Sequence, residues 1–112
     1  MQDRIFSLLG LAAKAGRVAA GGFSAEEAVK SRKARLVLVA EDAKSNTVKK
    51  FTDKCAFYKI PLRFYGTKET LGHSVGREAR ACLAVTDRGF AESILSKLPQ
   101  DTFRPPDVEE TE

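Results

Sequence analysis

Four stretches of the sequence carry groups that could do chemistry. Gly21-Gly22 leads into Phe23-Ser24-Ala25-Glu26-Glu27; Glu41-Asp42 closes an apolar run; His73 sits among small residues; and Arg77-Glu78-Ala79-Arg80 is a charged stretch beside Gly76. Catalysis would need a nucleophile with a base, a metal set or a phosphate cradle. His73 is the single histidine, and neither a cysteine nor a cluster of acids lies near it in sequence. Glu41 and Asp42 are adjacent, so on a strand they would point to opposite sides, and they mark the end of a strand better than they make a metal pair. Gly21-Gly22 lacks the lysine and the spacing of a nucleotide-binding loop. The chemistry expected is therefore binding rather than catalysis, with no cofactor and no metal.

Binding of nucleic acid needs exposed amides and cations placed together. Ser24 and Glu27 have the spacing of a capping box, in which each side chain satisfies the other residue's amide. That predicts a helix from Ser24 to about Arg32, entered through two glycines. Free amides at such an end, with the helix dipole, attract phosphate. Lys30, Arg32, Lys33 and Arg35 follow, and Lys44, Lys49, Lys50 and Lys54 load the next helix. Residues 30 and 33 share a helix face, but the remaining cations do not all join them, so only part of this charge can form one footprint. The loop from Arg77 to Arg80 sets two cations around a small residue and an acid, and is compact enough to approach a backbone closely.

The chain carries a net charge of +4, but residues 101–112 hold five acids against Arg104 alone. Residues 1–100 therefore contain 18 basic and 10 acidic side chains, a body charge of +8. Such a body suits an anionic partner, most simply nucleic acid, although solubility alone would also account for it. Cys55 and Cys82 lie in apolar stretches and read as reduced core residues, which fits a cytoplasmic setting. No apolar run approaches a membrane span. Asp3 and Lys14 interrupt the opening stretch, so it reads as a helix and not as a signal peptide.

The elements that would position these groups centre on Leu36–Val39, a continuous apolar run typical of a strand covered on both faces. Ser45 could cap a helix carrying Val48, Phe51, Cys55 and Tyr58 at helical spacing. A first helix over residues 3–15 buries Ile5, Leu8, Leu9 and Ala12, and a short strand covers 17–20. A third strand spans 60–65. Thr67 caps a short helix to about Thr70, and Leu71–Gly76 closes it. A fourth strand covers 81–86, and Asp87 caps a last helix with Phe90, Ala91, Ile94, Leu95 and Leu98 inward. Alternation of this kind predicts an α/β fold, a three-layer α/β/α sandwich on a four-stranded, mainly mixed sheet. One domain covers residues 1–99, and the acids and prolines of 100–112 predict a disordered tail.

Several separated motifs occur together: Ala34–Ala43, Asn46-Thr47, Lys54-Cys55 to Ile60-Pro61, Leu71–Gly76, Leu8–Ala12 and Asp87–Ala91. In their order along the chain they resemble the ribosomal protein L7Ae/L30e family, and most of all its small bacterial YlxQ branch, over residues 4 to 98. The resemblance implies a protein that binds kink-turn RNA, an internally looped, sharply bent helix with tandem sheared G·A pairs. Carried over by position, the contacts fall on Gly21, Gly22, Phe23, Ser24 and Glu27, and on Arg77, Glu78, Ala79 and Arg80, with Lys44 and Val48 beside them. Family members often carry asparagine, glutamate and lysine where this chain has Phe23, Ser24 and Glu27; Lys30 could replace the lysine in charge but not in position. The expectation is a non-catalytic ribonucleoprotein component whose partner is structured RNA, kink-turn or ribosomal. It would be monomeric, ribosome-associated and independent of membranes. Two rivals stand beside it: a protein-interaction adaptor on the same fold with weak or lost RNA affinity, and the substrate-binding domain of an RNA-modifying enzyme.

Overall fold

The computed structural model describes residues 3–102. Its elements run α1 (Arg4–Lys14), β1 (Val18–Ala20), α2 (Gly22–Lys30), β2 (Leu36–Val39), α3 (Ser45–Tyr58), β3 (Leu62–Phe64), α4 (Lys68–Ser74), β4 (Cys82–Val85) and α5 (Arg88–Lys97). A 3-10 turn, Gln100–Thr102, follows. The acidic tail expected over 100–112 lies outside the described residues from 103 onward.

The sheet order is β1-β4-β2-β3. β4 runs antiparallel to both neighbours, with Val18 opposite Val85, and Val39 opposite Cys82. β3 runs parallel to β2, with Val39 opposite Phe64. The sheet is mixed, and all eight side chains of β2 and β4 are fully buried. Strand alternation splits them between two cores. Leu36, Leu38, Leu83 and Val85 pack with Ile5, Leu9, Leu71, Ala91 and Ile94 under α1, α4 and α5. Val37, Val39, Cys82 and Ala84 pack with Ala25, Val29, Phe51 and Cys55 under α2 and α3. This is the three-layer α/β/α sandwich that the apolar run at 36–39 implied. Burial pushes the Cys55 thiol up to about 11 and the Cys82 thiol up to about 12, so both stay protonated and inert in the core.

Two of the caps form as the residue types predict. Thr67 accepts the amide of Thr70 at 3.1 Å, and Thr70 returns a bond to the amide of Thr67 at 2.8 Å. Asp87 accepts the amide of Phe90 at 2.9 Å. Asp3 adds a third cap, accepting from Ile5 and Phe6. Two other caps do not form. α2 begins at Gly22 with Gly21 as its N-cap, so Ser24 already lies inside the helix and the Ser24–Glu27 capping box is absent. Gly21 holds φ at +98°, a conformation that glycine adopts freely, and its amide bonds to the Cys82 carbonyl at 2.9 Å. The pairing to β4 therefore fixes where α2 starts. α3 likewise begins one residue early: Lys44 is its N-cap and Ser45 its first residue, without a side-chain cap. α4 extends to Ser74, past the expected end near Thr70.

Gly72 sits in the middle of α4, where glycine costs a helix about 1 kcal/mol relative to alanine. A Cβ there would overlap the backbone carbonyl of Glu78. Glycine thus lets the 77–80 loop lie directly on the helix. Gly72→Ala should lower stability by about 1–3 kcal/mol in urea denaturation, because overlap with backbone outweighs the gain in helix propensity. Unchanged or greater stability would show that the loop does not pack this way.

Tyr65 donates to Asp3 Oδ2 at 2.6 Å, and its ring lies tilted against that of Phe6 with centroids 5.4 Å apart, tying β3's exit to the α1 cap. Desolvation, followed by the bond to Asp3, pushes the Tyr65 phenol up to about 12. The raised value favours the protonated folded state, so this contribution is complete below the ordinary tyrosine value near 10 and is lost as pH rises through about 12. Tyr65→Phe should therefore show a flatter fall in stability across that window than the parent chain. Parallel profiles would contradict the contact.

Candidate nucleic-acid interface

One edge of the sheet collects most of the residues singled out by type. There β1 ends, β4 begins and β2 ends. Gly21 bonds to Cys82, Cys82 faces Val39 in register, and the amide of Ala40 bonds to the Ala81 carbonyl at 2.8 Å. The start of α2, the loop before β4 and the loop leading into α3 are thus joined through backbone.

The α2 start presents three amides, those of Gly22, Phe23 and Ser24, ahead of the first bond of the helix, from Ala25 to the Gly21 carbonyl at 2.9 Å. Among the described residues no side chain caps them. A Cβ on Gly22 would meet nothing within 4 Å, so these amides stand behind a backbone-thin surface. Phe23 is 79% exposed at the same end, and Ser24 and Glu27 are exposed along the first turns. Such an end favours an anion.

The loop from Arg77 to Arg80 is held at both ends. The Arg77 amide bonds to the Gly72 carbonyl and the Arg80 amide to the Lys68 carbonyl, each at 2.9 Å. Asp42 takes the amide of Lys68 at 2.8 Å, so the carboxylate that ends the β2 run also fixes the start of α4 beneath this loop. Arg80 crosses to α2: its Cδ and Nε lie 3.3 and 3.6 Å from where a Cβ on Gly21 would stand. Its Nη1 donates to the carbonyls of Ala79 at 3.0 Å and Glu78 at 3.4 Å, which steadies the guanidinium beside the α2 amides. Arg77, Glu78 and Ala79 are exposed, and with Asp42, Lys68, Glu69 and His73 they border an open depression of about 610 Å³.

Lys44 and Val48 stand a turn apart at the amino end of α3, joined by a backbone bond of 3.0 Å, Lys44 exposed and Val48 half-buried against the core. The other lysines of α3 are engaged elsewhere. Lys50 and Lys54 reach Glu26 of α2 at 3.1 and 3.7 Å, and Lys49 pairs with Asp53 at 3.4 Å. The hydrogen bond from Lys50 holds the Glu26 carboxyl below its ordinary value. Among the described residues, Lys44, the N-cap of α3, has no carboxylate partner. Lys30 does not join the group. It ends α2, eight residues and about 12 Å of helix rise from Gly22.

The residues that sequence reasoning missed are Gly72, Asp42 in its capping role, and Lys68. A glycine inside a helical stretch followed by a charged loop was a usable signal for the first. Nothing local marks Lys68, because its backbone carbonyl does the work. Among the described residues no group of three or more histidines, cysteines or acids could hold a metal ion.

The whole arrangement has relatives. The model of the Ribosomal protein L7Ae/L30e/S12e/Gadd45 family matches residues 3–95. The chain is 47% identical over 93 residues to the RNA-binding protein YlxQ of Bacillus subtilis (strain 168), covering 83% of this chain and 93% of that protein. It is 31% identical to the RNA-binding protein YlxQ of Enterococcus faecium, covering 81% and 87%. A solved structure of a protein with unknown function from Bacillus halodurans C superposes with a TM-score of 0.81 at 35% identity, covering 85% of this chain and 96% of that one. The Giardia lamblia 15.5kD RNA binding protein shares the fold, with a TM-score of 0.74 at 21% identity, covering 87% and 89%. With the family pattern running through all five helices and four strands, this chain belongs to the Ribosomal protein L7Ae/L30e/S12e/Gadd45 family.

Proposed function

We propose that the chain is a non-catalytic RNA-binding protein that recognises kink-turn or similarly looped RNA through the α2 amino end and the 77–80 loop. The binding domain is residues 1–99, with 100–112 as an acidic tail; the protein acts as a cytoplasmic, ribosome-associated monomer. The observation that carries this reading is the contact of Arg80 with Gly21, which unites three uncapped helix amides and a positioned guanidinium on one thin surface. The curated relatives named RNA-binding proteins support it, as does the body charge of +8 in residues 1–100.

The physical division of labour follows from the groups present. Amides of Gly22, Phe23 and Ser24 meet phosphate or base edges as donors, and Arg80 adds charge. The flat, exposed ring of Phe23 offers a stacking surface to an unstacked base. Lys44 and Val48 stand beside this surface at the amino end of α3. Glu27 is exposed and uncommitted to any cap, so it opposes an approaching phosphate. The exposed Phe23 would equally suit the apolar contact of a protein adaptor, and that reading takes first place if the RNA reading fails.

Titration of the protein into a labelled consensus kink-turn and a straight duplex of equal length, at two salt concentrations, tests the proposal. Preferential binding to the kink-turn is expected. Arg80→Ala should weaken it about tenfold, and Glu27→Lys should strengthen it severalfold while steepening its salt dependence. Equal, weak, salt-sensitive binding to both RNAs would overturn it.

A further inference from the structure

The opposite edge of the sheet holds a cleft that the interface does not use. It lies between the turn from α2 to β2 and the turn from α3 to β3, encloses about 290 Å³, and is walled by Arg32, Arg35, Tyr58, Lys59 and Pro61. Among the described residues no carboxylate lines it. Three cations thus share one concave site without an internal counter-charge. Arg32 is fixed over the Tyr58 ring, its guanidinium carbon 5.2 Å from the centroid, which holds the charge in place at little entropic cost. Arg35 is exposed beside a fully buried strand: its amide bonds to the Val85 carbonyl at 2.7 Å, so its backbone cannot move away.

The backbone adds an independent signal. Two residues other than glycine have positive φ among the described residues, Arg32 at 65° and Lys59 at 59°, and both line this cleft. Each follows a helix end, where glycine or asparagine is the usual occupant of the left-handed conformation. Arginine and lysine there sacrifice backbone ease at two separate turns, and each puts a cation into the same cavity. Strain of this kind gathers where a ligand is held.

We propose that this cleft is a second anion site, one that takes a phosphoryl group through Arg32, Arg35 and Lys59, at the far end of α2 from the interface. The phosphoryl group could come from two sources: the backbone of an RNA stem that extends beyond the α2 amino end, or the phosphate chain of a free nucleotide. α2 spans about 14 Å, so a stem lying along it would bring later backbone phosphates to the cleft.

The test compares the full chain with an Arg35→Ala/Lys59→Gly double variant. Calorimetric titration with inorganic pyrophosphate and with ATP reads the free source. Titration with a short kink-turn and with the same kink-turn carrying about one more helical turn of stem reads the RNA source. Lys59→Gly relieves a left-handed backbone, so the double variant should melt no lower than the parent, which separates lost binding from lost folding. The expected result is that pyrophosphate or ATP binding, or the affinity gained from the longer stem, falls about tenfold or more in the double variant, with short kink-turn affinity unchanged. Loss in the pyrophosphate and ATP arm assigns the site to a free nucleotide; loss only of the stem-length gain assigns it to RNA backbone. If the parent binds neither pyrophosphate nor ATP and gains nothing from the longer stem, or if the double variant matches it throughout, the second site is refuted. Because the short kink-turn is measured alongside, failure of the interface and failure of the cleft give different results.

Discussion

The antiparallel pair of β2 and β4 is the constraint from which the rest follows. All eight of its side chains are withdrawn from water, four toward each helical layer. No polar chemistry can sit on those strands, so it is confined to the loops at their two ends. The strands that flank this pair, β1 on β4 and β3 on β2, then decide which loops meet. At one end the α2 start and the 77–80 loop come together; at the other, the two turns that hold Arg32 and Lys59.

The first of these edges is built from backbone more than from side chains. Gly21 is held by the Cys82 carbonyl, Arg80 by the Lys68 carbonyl, and Arg77 by the Gly72 carbonyl. Gly72 admits the Glu78 carbonyl, and Gly21 admits the Arg80 side chain. Interfaces made this way present donors whose positions are fixed before a ligand arrives, so little ordering is left to oppose binding. The absence of a cap on α2 belongs to the same design, since a serine or aspartate at the cap would satisfy the amides that an anion could use. The ion pairs of Glu26 with Lys50 and Lys54 brace α2 against α3 behind that surface. As exposed pairs they add little stability; their consequence is to take two lysines out of the footprint.

The sequence made much of the architecture legible. The unbroken apolar run at 36–39 signalled the doubly covered strand, and Asp87 and Thr67 announced the starts of their helices, because each of these is a local preference with no tertiary competitor. The start of α2 was misplaced for the opposite reason. Ser24 and Glu27 have capping-box spacing, yet Gly21 is tied to β4 and its positive φ turns the chain into a helix three residues sooner. Ser45 failed as a cap in the same direction. The separation of Lys44 from Lys50 and Lys54 was invisible locally, since Glu26 approaches from another helix. Family motifs pointed to the residues of the interface edge, while only the fold reveals that Arg80 lies beside Gly21.

The central claim is that the uncapped α2 amides and the 77–80 loop act as one surface. Its most direct test is an amide-resolved NMR titration of the full chain with a kink-turn RNA. The account predicts that the amides of Gly22, Phe23 and Ser24 shift together with those of Arg77 to Arg80, and that both sets saturate at the same RNA concentration. Shifts centred on the lysine face of α3, with those seven amides unmoved, would contradict it.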